Sequence, residues 1–348
     1  MGARARKAKN GEIKIMKESV IVTGGFGFLG SHLVEHYLKK NYSVIAVDNF
    51  CTGSRSNQTL FQKEIDEGRL ESIEADVTQN WDSWLNSRKN QLSVRFIFHF
   101  ASPASPPHYQ KLGLETLAAN SIGLSHALNA ADGLGARVIF ASTSEIYGDP
   151  AVHPQPESYW GNVNSYGVRS CYDEAKRFGE ALIFTHNLKH STQHGLVRIF
   201  NTYGPRMNPA DGRVIINLLM QAEQNQPLTL YGTGEQTRSF CYVDDLIAGI
   251  THYAQSSLTT PVNLGNDQEF TLLEFVDTLR SIYTDRTLQV THLPLPQDDP
   301  RQRRPDLTCA KKQLSPWSPR VHLREGLLKM RACLHNSDRI PFQSRGRD

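Results

Sequence analysis

Tyr172 and Lys176 stand four residues apart in a stretch with helical spacing, so both project from one helix face. A tyrosine phenol titrates at about 10, too high for a base near neutrality, but an adjacent ammonium and a cationic hydride acceptor both favour its phenolate. Tyr172 can then take the proton of a substrate hydroxyl while hydride leaves the carbon that bears it. A tyrosine and lysine at this spacing are more often a surface pair. Here they follow Ala141-Ser142-Thr143-Ser144-Glu145, at the end of an apolar strand, where open α/β sheets bind their ligands. Thr143 can hydrogen-bond the reacting hydroxyl, and Glu145 can hold a carboxylate or water beside it; a plain strand-end cap is the alternative.

A hydride acceptor needs a binding turn, and Val20-Ile21-Val22-Thr23 runs into one: Gly24-Gly25-Phe26-Gly27-Phe28-Leu29-Gly30, followed by a helical pattern. Gly24, Gly27 and Gly30 let the backbone turn tightly and approach a pyrophosphate, whose charge meets free amides and the positive end of the helix dipole. Asp48 ends the next apolar strand, 18 residues past Gly30. A carboxylate there bonds both hydroxyls of an adenosine ribose and repels a 2′-phosphate, which favours NAD over NADP. Asp76-Val77, after Leu70–Ala75, are placed to flank the adenine.

These residues need a sheet to hold them. Apolar runs alternate with amphipathic stretches at 19–23, 29–40, 43–48, 96–100, 115–132 and 138–143, which predicts an α/β fold with a doubly wound parallel sheet. Residues 164–188 read as one long helix and 196–200 as a further buried strand. Beyond Gly204, frequent Pro and Gly predict a smaller, loop-rich C-terminal substrate-binding lobe. The expected division is a mobile basic tail at 1–17, a nucleotide-binding domain at 18–203, a lobe at 204–335 that sends some chain back to the sheet, and a tail at 336–348.

Composition is consistent with a large enzyme-like globule: 348 residues, 39% hydrophobic, 21% charged, formal charge +3. Several of the positive charges lie in the first seventeen residues, so the balance does not imply nucleic acid. The five cysteines are scattered and never form C-x-x-C, which argues against a disulfide framework or zinc site and favours a reducing, cytoplasmic setting. No apolar run is long enough to span a bilayer, so no membrane association is expected.

The motifs Gly24–Gly30, Thr143-Ser144-Glu145, Tyr172-x-x-x-Lys176 and Arg198–Arg206 resemble the extended short-chain dehydrogenase/reductases that modify nucleotide sugars, whose fold is a Rossmann sheet. Within them the chain looks most like the UDP-glucuronate decarboxylases, or UDP-xylose synthases. The specific matches are Ser102–Tyr109, Tyr147–Pro150 with His153-Pro154-Gln155, Tyr159–Asn164, Cys171–Glu174, Asp211–Val214, Gln236–Phe240, and Asp298-Asp299-Pro300 through Arg303–Asp306. The resemblance spans about 19–330 and implies NAD held by Gly24, Gly27, Phe28, Leu29, Gly30, Asp48, Asn49, Phe50, Thr52, Gly53, Asp76, Val77, Tyr172, Lys176, Thr202 and Arg213. It implies UDP-glucuronate held by Ser105, Tyr109, Asn201, Tyr231, Arg238 and Arg303, with Thr143, Glu145, Tyr172, Lys176 and Arg303 catalytic and no metal. Arginine pairs bidentately with carboxylate, which gives Arg303 a mechanism, although Arg301-Gln302-Arg303-Arg304 alone reads as a solvated basic turn.

The implied reaction is NAD-dependent oxidation at C4, loss of CO₂, and re-reduction to UDP-xylose. A homodimer is implied too, through the helices at 115–132 and 164–188; Leu117, Ile122, Leu124, Leu128, Phe178 and Leu182 are the apolar positions, which could equally be core. Two positions depart from the resemblance: Ser165-Tyr166 where Pro-Ile is usual, and Glu115 where a substrate-facing lysine often stands. The rival readings are a sugar-nucleotide 4,6-dehydratase, against which stands Ser144 in place of an acidic residue, and a 4-epimerase, against which stands the Arg303 segment. A noncatalytic NAD-sensing scaffold has no need of the Thr143, Tyr172 and Lys176 set.

Overall fold

A computed structural model describes residues 5–7, 13–15, 17–88, 93–294 and 302–337. The Asp298-Asp299-Pro300 match and most of both expected tails lie outside them; Ala5–Lys7 and Ile13–Ile15 pair antiparallel. The centre is a seven-stranded parallel sheet. Its strands are β1 (Glu18–Thr23), β2 (Ser43–Asp48), β3 (Leu70–Glu74), β4 (Ser93–His99), β5 (Arg137–Thr143), β6 (Gly195–Ile199) and β7 (Val262–Leu264), in spatial order β7-β6-β5-β4-β1-β2-β3. The order reverses between β1 and β4, the switch point where such sheets open a crevice.

Alternation along the strands builds both faces. Val20, Val22, Val44, Ala46, Phe96, Phe98, Ile139 and Val197 enter one apolar core. Their neighbours Ile21, Ile45, Val47, Ile97, Val138, Phe140 and Leu196 enter the other, as the two-residue period of a strand requires. Both faces are covered, so the strands read as nearly unbroken apolar runs. The first core includes Leu33, Val34, Tyr37 and Leu38 of helix α1 (Phe28–Lys39). The second includes Leu124, Ala127, Leu128 and Ala131 of α2 (Leu124–Leu134) and Ile183 of α3 (Ser170–His190).

Two expected helices differ in detail. The long one starts at Ser170, not at 164. Asn164 Oδ1 accepts from the Tyr166 amide at 3.2 Å, a local bond that competes with helix, and Ser165 and Gly167 add little to resist it. The 115–132 helix is interrupted: Gly113–Ala118 passes through a wide π turn at Ala119–Gly123 before α2 begins. Asn120 Nδ2 bonds both Ser102 Oγ at 2.9 Å and Thr116 O at 2.8 Å there, and a Cβ on Gly123 would lie 2.8 Å from Val77.

In the lobe, Thr237–Ser239 pairs antiparallel with Glu269–Thr271 and parallel with Gln302–Arg303, placing Arg238 opposite Arg303. Leu228–Tyr231 pairs parallel with Val290–Leu293. Between them Leu272–Ile282 starts on a capping box made by Thr271 and Glu274.

The turn after β1 depends on missing side chains. A Cβ on Gly30 would stand 1.9 Å from Gly24 O, and Gly24 itself has φ +66°. Gly30→Ala therefore pushes α1 off the turn. Its expected cost is at least about 2 kcal/mol, read as a fall of several degrees in Tm together with loss of dinucleotide binding.

Candidate active site

All the residues assigned from sequence to dinucleotide, substrate or catalysis line one cavity of about 2290 Å³ along the C-terminal edge of the sheet. At one end, α1 begins at Gly27 with no side-chain cap and no acidic residue in its first turn, so its dipole and the amides of Phe28, Leu29 and Gly30 face the cavity uncompensated. That is a cradle for pyrophosphate.

Asp48 is pinned at the end of β2. Oδ2 accepts from the Phe26 amide and Oδ1 from the Phe50 amide, both at 2.9 Å. Burial pushes its pKa up, and the amides of Phe50, Phe26 and Gly27 pull against that. A Cβ on Gly53 would stand 2.5 Å from Asp48 Oδ1, so only glycine leaves the carboxylate its room. Phe50 adopts φ +58°, stacks on Phe26 and lies 3.5 Å beneath the Arg55 guanidinium. Asp76 accepts from Asn49 Nδ2 at 3.0 Å and from both the amide and hydroxyl of Thr78; Val77 and Thr52 complete this wall.

The reaction centre lies where β5 meets α3. Burial pushes the Tyr172 phenol pKa up to about 12, and the neighbouring Thr143 side chain pulls against the rise. The Lys176 ammonium lies 5.7 Å from the Tyr172 ring centroid and donates to Ala141 O at 2.7 Å. Burial lowers the Lys176 pKa to about 7. Tyr109 stacks on Tyr172 with centroids 4.9 Å apart and an 8° tilt, fixing the phenol's plane.

Glu145 carries two ion pairs, one to Arg303 and one to Arg169. Burial works to raise its pKa, but the two guanidiniums outweigh it and hold the carboxyl down at about 2. Arg303 is 2% exposed rather than part of a solvated turn, and it donates to Gly148 O at 2.7 Å. Arg169 goes unmarked in the sequence, and Asp173 stands there only inside the Cys171–Glu174 match, with no role of its own. An arginine three residues ahead of the tyrosine, at a helix start, was the available signal. Asp173 lies 3.8 Å from Arg169, and burial together with the charge of Glu145 pushes its pKa up to about 7.

The remaining wall belongs to the lobe and its approach. Asn201, Thr202, Arg213, Tyr231 and Arg238 line the cavity with Ser105 and Tyr109. Arg213 is paired with Asp211, Thr202 Oγ1 bonds Phe200 O at 2.8 Å, Arg238 donates to Thr237 O at 2.8 Å, and Ser105 Oγ lies 2.7 Å from His108 Nδ1. Glu115, one of the two departures, also lines it. Tyr166, the other, is 97% exposed and away from the cavity lining. A separate cluster, Asp132, His186 and His194, has the spacing of a metal site. The Val138 amide donates to His194 Nδ1 at 3.0 Å, so the neutral ring carries its proton on Nε2, the atom facing Asp132. That atom stands 3.6 Å from Asp132 Oδ1 and makes no hydrogen bond among the described residues.

Residues 20–265 match the family model described as the NAD dependent epimerase/dehydratase family. The chain belongs to this family. Within it, the chain is 45% identical over 309 residues to UDP-glucuronic acid decarboxylase 5 of Arabidopsis thaliana, covering 88% of this chain and 86% of that protein. It is 44% identical over 313 residues to UDP-glucuronic acid decarboxylase 1 of Danio rerio, covering 90% and 72%. Among solved structures, the UDP-glucuronic acid 4-epimerase of Bacillus cereus, in complex with UDP-glucuronic acid and NAD, superposes with a TM-score of 0.80 at 25% identity, covering 91% of this chain and 99% of that one. The dinucleotide of this epimerase/dehydratase chain is NAD, and the open α1 terminus and pinned Asp48 fit it.

Because Asp48 is already committed to two amides, it is expected to meet the ribose of NAD as an immobile acceptor. The unmodified protein is expected to bind NAD far more tightly than NADP in fluorescence titrations, and Asp48→Ala to narrow that preference. Equal affinity in the unmodified protein would overturn this role.

Proposed function

We propose that the protein decarboxylates UDP-glucuronate to UDP-xylose using bound NAD. The observation that carries this reading is the buried Arg303 guanidinium at the Thr143, Glu145 and Tyr172 cluster, a carboxylate-binding group beside a hydroxyl-oxidising one. Relatives named UDP-glucuronic acid decarboxylase support it.

NAD, when bound, supplies a cationic hydride acceptor that can return the same hydride. The phenolate of Tyr172 takes the O4 proton, and Thr143 orients O4. Loss of that hydride makes C4 a ketone β to the C6 carboxylate. The C5–C6 bond then breaks, its electron pair passing into the C4–C5 enolate as CO₂ departs, and a proton adds at C5. Tyr172 returns its proton to O4 as C4 is reduced again. Arg303 holds the acid group, while Asn201, Tyr231 and Arg238 are placed for the UDP portion. The 4-epimerase chemistry of the structural neighbour shares the first oxidation, so the product decides. Mass and NMR analysis after incubation with UDP-glucuronate and NAD should give UDP-xylose with one CO₂ per turnover; UDP-galacturonate as the product would replace this reading.

Tyr172→Phe removes only the proton acceptor. Its expected effect is a loss of about 10²–10⁴-fold in turnover with NAD affinity nearly intact. A variant within a few-fold of the parent would assign the base elsewhere.

The working form we propose is a cytoplasmic homodimer. Leu117, Ile122 and Phe178 are 40–51% exposed, and Leu114, Phe184 and Leu188 on the same helices are 71–81% exposed. Leu124 and Leu128 turn inward to the core instead, and Leu182 packs against it. An apolar surface of that kind suits a partner helix pair. All five cysteines are unpaired, which suits a reducing compartment. No helix among the described residues is long and apolar enough to cross a membrane. Light scattering at micromolar concentration should give twice the chain mass, and Phe184→Asp combined with Leu188→Asp should halve it.

A further inference from the structure

Arg303 is nearly without solvent contact, and its guanidinium charge is balanced by Glu145. One amino group also donates to Gly148 O, while Nε is buried with no hydrogen-bond partner among the described residues. The other oxygen of Glu145 is held by Arg169. One carboxylate is therefore shared by two guanidiniums that arrive from unconnected segments, Arg169 ahead of α3 and Arg303 from the lobe. All three side chains line the cavity at the reaction centre. Asp173, beyond Arg169, is the other carboxyl of the cluster and does not line the cavity.

An uncompensated buried guanidinium is strongly unfavourable, so Arg303 needs an anion whether or not ligand is present. With no ligand, that anion is Glu145. Resting on the proposed decarboxylase reading, we infer that Glu145 is a place-holder for the substrate's own carboxylate on Arg303. An acid sugar takes over the Arg303 side of Glu145, which stays paired with Arg169. The amino group that Glu145 releases becomes the donor to the incoming carboxylate. A sugar without a carboxylate leaves the Glu145–Arg303 pair closed across part of the sugar pocket. Selection for the acid is then a difference between two states of one arginine, and includes a penalty against the neutral sugar as well as an attraction to the acid. Once displaced from Arg303, Glu145 is held by Arg169 alone and faces the carbon that loses CO₂.

The test is equilibrium binding of UDP-glucuronate and of UDP-glucose to the NAD-loaded enzyme by calorimetry. Glu145→Gln removes the competing charge, so UDP-glucuronate should bind about tenfold more tightly than to the parent, with UDP-glucose changed less than about threefold. UDP-glucuronate bound no more tightly than by the parent overturns the place-holder role. Arg303→Lys serves as a second variant should Glu145→Gln fail to fold: an ammonium cannot hold the Gly148 carbonyl and a carboxylate in the same fork. Its preference for the acid sugar should vanish, and a preserved preference counts against the exchange. Decarboxylation by the unaltered enzyme, assayed in parallel, reports on the reaction itself, so failure of that reading is separable from failure of the exchange.

Discussion

Every strand of the main sheet runs in the same direction, and so every loop leaving a strand end opens on the same edge. That polarity gathers residues from distant parts of the chain: the Gly24 turn after β1, Asp48 at the tip of β2, Thr143 at the tip of β5 and Asn201 just past β6. The switch between β1 and β4 leaves the Gly24 turn almost no room, since a Cβ on Gly24 would meet Phe100 O and the Ala101 amide at 2.9 Å. Backbone packing thus fixes where the dinucleotide runs, and the dinucleotide's course fixes where a sugar carbon must be presented.

Around that point the protein keeps an unusual number of ionisable groups out of water. Tyr172, Asp173, Lys176 and Arg303 are all buried. Their surroundings drive like groups apart: Glu145, between two guanidiniums, falls to about 2, while Asp173, farther from Arg303, rises to about 7. Lys176 loses much of its affinity for a proton because burial strips water from its ammonium, which keeps the Ala141 carbonyl as its hydrogen-bond partner. Such separation of neighbouring carboxyls is how one fold keeps acid and base forms together at one pH. It comes at the expense of stability, a trade common where activity is concentrated.

The parts of this arrangement that were legible in the sequence are local. Gly24, Asp48, Tyr172 and Lys176 sit in short strand, turn and helix patterns whose geometry is set within a few dozen residues. The helix start was misplaced at 164 because apolar spacing carries no mark of the Asn164 turn, which a single side-chain bond decides. The π turn at 119–123 depends on Ser102 and Val77, residues well outside the helix itself. Arg303 looked from its neighbours like a solvated turn; its burial comes from Gly148, 155 residues away, and from Glu145. The bond from Lys176 to the Ala141 carbonyl was hidden for another reason: helical spacing gives a common face but not which acceptor a long side chain will choose.

The small parallel ladder that sets Arg238 beside Arg303 is built late in the chain. All seven main-sheet strands and Asp48, Thr143 and Tyr172 precede its second strand, Gln302–Arg303, in sequence. A chain emerging from the ribosome therefore has the material for its nucleotide half before Arg303 exists. Closing the ladder must then join segments far apart in sequence, the slow kind of contact in folding. During that interval Glu145 has Arg169 as its partner from the earlier part of the chain, so its carboxylate is not left wholly unpaired while it waits for its second arginine. The late ladder makes closure of the Arg303 corner a step separable in time from assembly of the nucleotide cradle.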